Sequence, residues 1–313
     1  MQSVRRRSTL KAPAVSLAVL FLSAVSAAQT PPVNVAIDAS KTGAPISKYL
    51  YGQFLEHGGN IVNENIWAEM LEDRKFYYPV TSKPPEQPAG PAWRRRAPLR
   101  HWTPVGGDEV VTMDSKDPYT GDHTPLIQLS GAEAHGVRQT GLAVRKGKAY
   151  TGRIALAGSP GAVVKVTLAW GSQARERQVL TIRTLGSAYR TFPLSFRAQG
   201  DSDNAQIEIT GTGAGSFHVG AVSLMPADNI EGFRAEVIAA LQQLRSGVYR
   251  FPGGNFVSAH EWRNAIGDPD KRPPIYDPVW HAVQPNDVGT DEFLTLCRLL
   301  GVDSYITVNA GFG

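Results

Sequence analysis

The sequence predicts an α/β fold that is interrupted by an antiparallel β-sandwich. Toward both ends of the chain, apolar segments with strand spacing alternate with segments of helical spacing. Between them lie short alternating runs separated by Gly, Pro and Ser, with no helical pattern. Hydrophobic residues make up 42% and charged residues 19% of the chain, which excludes a disordered or fibrous protein. The 313 residues are enough for about two domains.

Residues 1–28 have the pattern of a secretory signal peptide. Basic residues at positions 5–7 and 11 precede a mostly apolar run, Ala14 to Val25, and small residues follow at positions 26–28. A membrane anchor is the alternative, but the run is shorter than the ~20 residues that a spanning helix needs. The sequence therefore predicts a secreted or periplasmic protein.

The net charge of +4 resides in this leader. Its removal takes away four of the 32 basic residues and leaves 28 against 28 acidic ones. A neutral mature chain lacks the positive excess that phosphate binding needs, so a nucleic-acid partner is not expected. No later stretch is long and apolar enough to span a bilayer, so a membrane is not expected as a partner.

Residues 29–99 are predicted to hold an N-terminal strand and a first barrel-type unit. Val33–Ile37 alternates as a strand, Tyr49–His57 is a second apolar segment, and Asn65–Arg74 has helical spacing. A Pro-rich linker, Thr81–Pro98, follows. The charged residues of the predicted helix are expected on a solvated face: Glu69, Glu72, Asp73, Arg74 and Lys75.

Residues 100–226 are predicted to form the sandwich. The clearest alternating runs begin at Thr151, Val163, Gln178, Tyr189, Ala205 and Ser216. Aromatic residues within these runs, Trp170, Tyr189, Phe192 and Phe196, are expected in the core rather than in a sugar-binding platform.

Residues 227–313 return to helix and strand alternation. The pattern predicts a helix over Phe233–Leu244, a strand over Val248–Phe251, a helix over Thr290–Leu300 and a strand over Ser304–Asn309. About three βα units can be counted in the whole chain. Eight are needed to close a (β/α)8 TIM barrel, so such a barrel would be incomplete. The single cysteine, Cys297, is predicted to be a buried, inert thiol, and it excludes an intramolecular disulfide.

Polar residues and glycines collect where the predicted parallel strands end. The three strand ends are Gln53-Phe-Leu-Glu-His-Gly-Gly, Arg250-Phe-Pro-Gly-Gly-Asn-Phe and Val308-Asn-Ala-Gly-Phe-Gly. A carboxylate and carboxamides beside glycines suit directional hydrogen bonds to sugar hydroxyls. Gly-Gly and Asn-Ala-Gly are also ordinary loop sequences, so the residues alone leave both interpretations open.

Four segments in order resemble glycoside hydrolase family 51, the α-L-arabinofuranosidases. They are Tyr51-Gly-Gln-Phe-Leu-Glu-His-Gly-Gly, Ile66-Trp-Ala-Glu-Met-Leu-Glu-Asp-Arg-Lys-Phe-Tyr, Arg250-Phe-Pro-Gly-Gly-Asn-Phe-Val-Ser and Asp287-Val-Gly-Thr-Asp-Glu-Phe-Leu. The resemblance covers about residues 33–80 and 228–313. The sandwich is similar to the carbohydrate-binding-module-like inserts of some bacterial members.

This resemblance implies a (β/α)8 barrel of which residues 227–313 hold units two and three. It implies release of terminal arabinofuranosyl groups from arabinoxylan or arabinan by a retaining mechanism, in which two carboxylates act roughly 5 Å apart. The family's acid/base and nucleophile glutamates follow strands four and seven, and neither motif is present before Gly313. The chain is therefore expected to be an N-terminal portion that is inactive alone and contains no catalytic residue. The resemblance implies no metal or other cofactor. Members of the family are often oligomers, so a homo-oligomer is compatible with it. Val33–Ile37 is expected to join a β-domain elsewhere in the protein.

The resemblance assigns sugar binding to particular residues. Glu56 matches the glutamate that binds the arabinose hydroxyls, with a buried structural carboxylate as the alternative, and Asn255 follows the Pro-Gly-Gly that borders the same sugar. Trp280 is similar to a tryptophan on the aglycone side, with core packing as the alternative. Asn309 is a weaker candidate at a strand end.

Two other functions are weighed against this assignment. His260-Glu-Trp-Arg-Asn264 begins like a zinc-protease helix but lacks the second histidine, which argues against metal hydrolysis. A non-catalytic carbohydrate-binding protein that works through its sandwich stays open.

Overall fold

The computed structural model describes residues 34–58, 61–83 and 99–311. The predicted signal peptide and residues 84–98 of the Pro-rich linker lie outside these ranges. The described residues from position 46 onward belong to one compact unit, and residues 34–45 belong to a separate one. None of the helices in the described ranges has the length and apolarity to cross a bilayer.

The predicted strand at Val33–Ile37 does not form in its described part. Residues 34–38 pair with no described strand, and the side chains of Val35 and Ile37 are 78% and 90% exposed. Alternation alone does not make a strand, because a strand needs a neighbour to satisfy its backbone groups. The prediction that Val33–Ile37 joins a β-domain elsewhere in the protein stays untested.

The strands are numbered in chain order. They are β1 (Gln53–Phe54), β2 (Thr103–Val105), β3 (Val111–Asp114), β4 (Thr124–Gln128), β5 (Gly131–Val144), β6 (Ala149–Gly158), β7 (Ala162–Ala169), β8 (Arg177–Ile182), β9 (Arg190–Arg197), β10 (Ser202–Gly213), β11 (Ser216–Pro226), β12 (Val248–Phe251), β13 (Ile275–Asp277), β14 (Ala282–Gln284) and β15 (Asp303–Ile306). The α-helices are α1 (Ala235–Gln243) and α2 (Thr290–Leu300). Short 3-10 helices occur at Lys48–Tyr51, Asp108–Val110, Asn255–Ala259 and Trp262–Ala265, and Ile61–Ile66 is π-helical.

Residues 103–226 form two five-stranded antiparallel sheets with the orders β2-β5-β10-β7-β8 and β3-β4-β11-β6-β9. Side chains from both sheets pack in one hydrophobic core that includes Leu142, Val166, Ile207, Ile154 and Phe217. All six predicted segments are strands. Trp170 and Phe196 are buried in the core as predicted, and Phe192 packs partly against it.

Sequence analysis did not predict β5, the longest of the described strands. Its residues include Gly131, Gly136 and Gly141, which interrupt the alternation of apolar side chains. Gly136 is needed there, because a Cβ on it would lie 1.9 Å from the carbonyl oxygen of Ile209 on β10. Close backbone approach, rather than side-chain pattern, fixes this strand.

The α/β part contains a three-stranded parallel sheet with the order β1-β12-β15. β12 has the predicted bounds, and α2 ends at Gly301, which adopts the left-handed conformation with φ of 69°. Phe293 and Cys297 on α2 pack with Ile238 of α1 and Phe251 of β12 in a second core. Burial raises the pKa of the Cys297 thiol to about 11.

The predicted helix over Asn65–Arg74 is wrong. The π-helical segment ends at Ile66, and the chain then runs irregularly along the edge of β11. β4 pairs only with residues 216–218 of β11. Beyond that point the Met70 amide donates to Leu224, and the Val222 amide donates to Arg74. Backbone partners on a free sheet edge thus outweigh the helical spacing of three apolar side chains.

The solvated charged face predicted for this segment is wrong for the same reason. Arg74 and Lys75 are 3% and 2% exposed, and Glu69 is 9% exposed. Glu69 accepts hydrogen bonds from the Ser223 hydroxyl and the Leu224 amide of β11.

Arg74 is the centre of a buried ionic group that joins the two parts of the fold. Its Nε and Nη2 donate to both oxygens of Asp287, and its Nη1 donates to Asp270, each at 2.6 Å. Asp270 also accepts from Arg153 of β6 at 2.6 Å, and Lys75 lies 2.9 Å from Asp287. These residues, with Glu69, are called the Arg74 cluster. The cluster holds sandwich strands and the 268–287 loop of the α/β part in one arrangement.

Candidate functional site

The ends of β1 and β12 bring Glu56 against the Pro-Gly-Gly loop. Phe54 pairs with Arg250, and the pairing extends beyond β1 because the amides of Leu55 and His57 donate to the carbonyls of Arg250 and Pro252 at 2.8 and 2.7 Å. Glu56 lies between these two amides and is half-buried. The carboxylate is therefore held by parallel-strand geometry at the carboxyl end of the sheet.

Two glycines make room for the Glu56 side chain. A Cβ on Gly253 would lie 2.7 Å from Glu56 Cγ, and one on Gly254 would lie 3.2 Å from Oε1. Gly253 also has φ of +137°, which disfavours other residues. In the described structure the group that approaches these glycines most closely is the Glu56 side chain.

The Glu56 carboxylate accepts a long hydrogen bond from one described backbone amide. Its Oε1 lies 3.4 Å from the Phe256 amide, which donates to it. A carboxylate has about four acceptor positions. One long hydrogen bond leaves acceptor capacity for hydroxyl groups of a bound molecule.

Asn255 lies between two residues that approach the Glu56 side chain, Gly254 and Phe256, and Asn309 is hydrogen-bonded to the short helix that Asn255 begins. Asn255 follows Gly254, is exposed, and begins the 3-10 helix Asn255–Ala259. The Asn309 amide donates to the carbonyl of Ser258 in that helix at 3.0 Å, and its Oδ1 accepts from the Gly311 amide. In this structure Asn309 ties the end of β15 to the Asn255 segment.

Trp280 is placed near Glu56 by a hairpin. It lies in the turn between β13 and β14, where Asp277 Oδ1 accepts from the Val279 and Trp280 amides. The indole lies against Gly58, because a Cβ on Gly58 would be 3.2 Å from Trp280 Cε2. Gly58 is two residues from Glu56, so the Trp280 side chain packs beside the segment that carries Glu56.

Sequence analysis did not place two histidines, one buried and one half-buried, next to Glu56 and Asn255. His57 is 2% exposed, and its ring stacks on Phe256 with centroids 4.8 Å apart and planes 16° apart. Burial, and then the nearby His260, lowers the pKa of His57 to about 3, so the ring is neutral near pH 7. Burial likewise lowers the pKa of His260 to about 4, and its ring packs on the same Phe256. The only available signal was that His57 directly follows Glu56.

A mostly apolar cavity of about 210 Å³ lies at the ends of β12 and β15. Its lining includes Phe251, Val257, Trp262, Ile306, Val308 and Asn309. Trp262 and Val308 are 47% and 67% exposed. The strand ends thus present both polar groups and apolar surface.

Comparisons with known proteins point to one enzyme family. Residues 240–313 match the family model described as the alpha-L-arabinofuranosidase 1 domain. Alpha-L-arabinofuranosidase C of Emericella nidulans is 40% identical over 88 residues, which cover 28% of this chain and 18% of the fungal enzyme. An intracellular exo-alpha-L-arabinofuranosidase of Bacteroides ovatus is 39% identical over 100 residues, which cover 32% of this chain and 19% of that enzyme. The matches thus span less than a fifth of these relatives' length.

A solved structure extends the likeness to most of the chain. An arabinose-bound MgGH51 α-L-arabinofuranosidase superposes with a TM-score of 0.65 at 19% identity, covering 85% of this chain and 45% of that one. At this identity the match shows a shared fold.

Proposed function

We propose that this chain is part of a glycoside hydrolase family 51 α-L-arabinofuranosidase and that its strand ends bind a terminal α-L-arabinofuranosyl group. The family-model match over residues 240–313 and the 40% identity over 88 residues support the family. Glu56 accepts hydrogen bonds from the sugar hydroxyls, and the Asn255 amide contacts the same sugar. Trp280 stacks on the next sugar, and Asn309 completes the rim. The observation that carries this proposal is the Glu56 carboxylate held against Gly253 and Gly254 with acceptor capacity to spare.

The proposed enzyme acts on arabinoxylan, arabinan or their oligosaccharides with retention of configuration. Retention needs a nucleophilic carboxylate and an acid/base carboxylate roughly 5 Å apart. In the proposal both belong to later strands of a (β/α)8 barrel whose first three strands are β1, β12 and β15. This chain alone then binds the sugar and does not hydrolyse it.

The proposal includes the rest of the chain. The two-sheet sandwich is a carbohydrate-binding-module-like insert, residues 1–28 direct export, and the full-length protein assembles as a homo-oligomer. The residual alternative is a non-catalytic protein that binds polysaccharide through the sandwich.

The test is a comparison of Glu56→Gln with the unchanged chain. Calorimetric titration with an arabinofuranosyl-substituted xylo-oligosaccharide gives the affinity, and electrophoresis in gels containing arabinoxylan or arabinan gives polysaccharide binding. A hydrogen bond to a charged acceptor contributes about 1.5–3 kcal/mol, so the variant is expected to lose roughly 10- to 100-fold in affinity. Glu236→Gln, at an exposed position of α1, is the matched control and is expected to bind normally.

The outcomes separate the two functions. Undiminished oligosaccharide binding by Glu56→Gln contradicts the proposed site, and polysaccharide retardation that survives the substitution favours binding by the sandwich. Release of nitrophenol from nitrophenyl α-L-arabinofuranoside by the pure 313-residue chain contradicts the proposed lack of hydrolysis.

A further inference from the structure

The hairpin that carries Trp280 contacts the strand end that carries Glu56 in two ways, through the packing of Trp280 on Gly58 and through the side-chain amide of Asn63. Asn63 Nδ2 lies 3.2 Å from His57 Nε2 and 3.1 Å from Gln284 Oε1, to which it donates. His57 follows Glu56, and Gln284 is the last residue of β14, four residues after Trp280. Gln284 is fully buried and His57 is 2% exposed.

We propose that Asn63 is a positioning residue that sets the distance between the Trp280 hairpin and Glu56, and so determines affinity for the sugar unit beyond the arabinosyl group. This inference rests on the proposed function of the site. It assigns to Asn63 no contact with substrate, and it places the effect on the aglycone side alone.

The contacts from His57 through Asn63 to Gln284 are called the Asn63 bridge, and each end of this bridge is linked to a predicted sugar-binding residue. On one side the His57 ring stacks on Phe256, whose amide donates to Glu56 at 3.4 Å. Phe256 also packs against His260, so this side has a second support when the Asn63 contact is lost.

On the other side Gln284 belongs to a hairpin of only three residue pairs. The Arg74 cluster holds both ends of the segment that contains this hairpin, through Asp270 and Asp287. Loss of Asn63 is therefore expected to shift the turn that carries Trp280, while the base of the hairpin and Glu56 stay in place.

The amide of Asn63 is suited to a neutral histidine. A neutral imidazole offers one acceptor nitrogen, which takes one Nδ2 hydrogen while Gln284 Oε1 takes the other. An aspartate at position 63 can keep both contacts with the hydrogen-bond directions reversed. Its carboxylate can accept from the Gln284 side-chain amide and from the ring N–H of the other His57 tautomer. Leucine has a similar size and can make neither hydrogen bond.

The experiment measures two affinities for each variant of the 313-residue chain. Methyl α-L-arabinofuranoside probes the arabinosyl position, and an arabinofuranosyl-substituted xylo-oligosaccharide probes both positions. Asn63→Leu is expected to raise the Kd of the oligosaccharide about tenfold, the equivalent of one lost aromatic contact, and to change the Kd of the methyl glycoside by less than about twofold. Asn63→Asp is expected to keep the ratio of the two Kd values.

Controls distinguish positioning from general destabilisation. Asn229→Leu removes hydrogen bonds to Pro226 and Gly232 away from the strand ends, so it is expected to lower the Tm without changing the Kd ratio. If Asn63→Leu does not fold, Gln284→Met removes the other end of the bridge and is expected to change the ratio in the same way. An equal change in both Kd values, or no change in either, overturns the inference. Failure of the unchanged chain to bind either probe refutes the proposed function instead.

Discussion

Replacing Arg74 with methionine is expected to destabilise the compact unit by about 3 kcal/mol, the lower end of the range for removing one partner of a buried ionic group. Arg74 is 3% exposed and makes three 2.6 Å hydrogen bonds to Asp287 and Asp270. Each carboxylate keeps one cation after the change, Lys75 for Asp287 and Arg153 for Asp270. These remaining pairs keep the loss from reaching the upper end of the range.

The loss of stability caused by Arg74→Met should be larger at neutral than at acidic pH. Burial favours the neutral acid, yet the charges of Arg74 and Lys75 outweigh it and lower the pKa of Asp287 to about 2. A folded pKa below the unfolded value of 3.8 stabilises the protein above pH 4, and this stabilisation is lost as the pH falls toward 2. Without Arg74 the folded pKa of Asp287 rises. The deficit of the variant should therefore be larger at pH 7 than at pH 4.

Guanidinium unfolding followed by tryptophan fluorescence measures both quantities. Arg298→Met is the matched control, because Arg298 pairs with Glu231 at 2.5 Å with both side chains more than half exposed. Such a surface pair contributes less than about 1 kcal/mol. A loss below about 1 kcal/mol for Arg74→Met, or a deficit equal at pH 7 and pH 4, would refute the reasoning.

Three further predictions concern the strand ends and their core. Because burial lowers the pKa values of His57 and His260 to about 3 and 4, the unfolded chain binds more protons below pH 6.5, and stability should fall from there toward pH 4. Substituting both with phenylalanine should flatten this part of the pH profile of guanidinium unfolding, and an unchanged profile would contradict the assignment. Gly253→Ala should abolish oligosaccharide binding in calorimetry, whereas Gly267→Ala, with φ of +80° but open space around it, should leave binding intact. Cys297 is buried with a raised pKa, so maleimide labelling at pH 7 should proceed only as fast as the protein opens, and rapid labelling of the native chain would show that the thiol is accessible.

Periodicity predicted the elements that are held mainly by apolar burial. β12 and α2 follow their patterns because one face of each lies in the second core. The segment after Ile66 does not, because its backbone forms hydrogen bonds with β11, about 150 residues away in sequence. A sequence pattern describes local spacing and does not show that a strand distant in sequence, such as β11, leaves an edge unpaired.

The same distinction applies to the site. The residues alone indicated that Glu56 and Asn255 follow strands near glycines, and only the family resemblance assigned sugar binding to them. The Asn63 bridge from His57 to Gln284 was not accessible to sequence reasoning, because its members are single polar residues up to 227 positions apart with no spacing rule. Only the fold shows that they meet.

The sandwich could not be exchanged for another of similar size by cutting the chain on either side of it. A replacement would have to supply an arginine at the position of Arg153 and a hydroxyl at that of Ser223. It would also have to offer an unpaired β11 edge to residues 70–74. A graft without these groups would leave Glu69 and Asp270 short of partners inside the protein. Chimeras should therefore carry residues 69–75 and 268–287 together with the sandwich, so that what is transferred is the whole buried ionic junction.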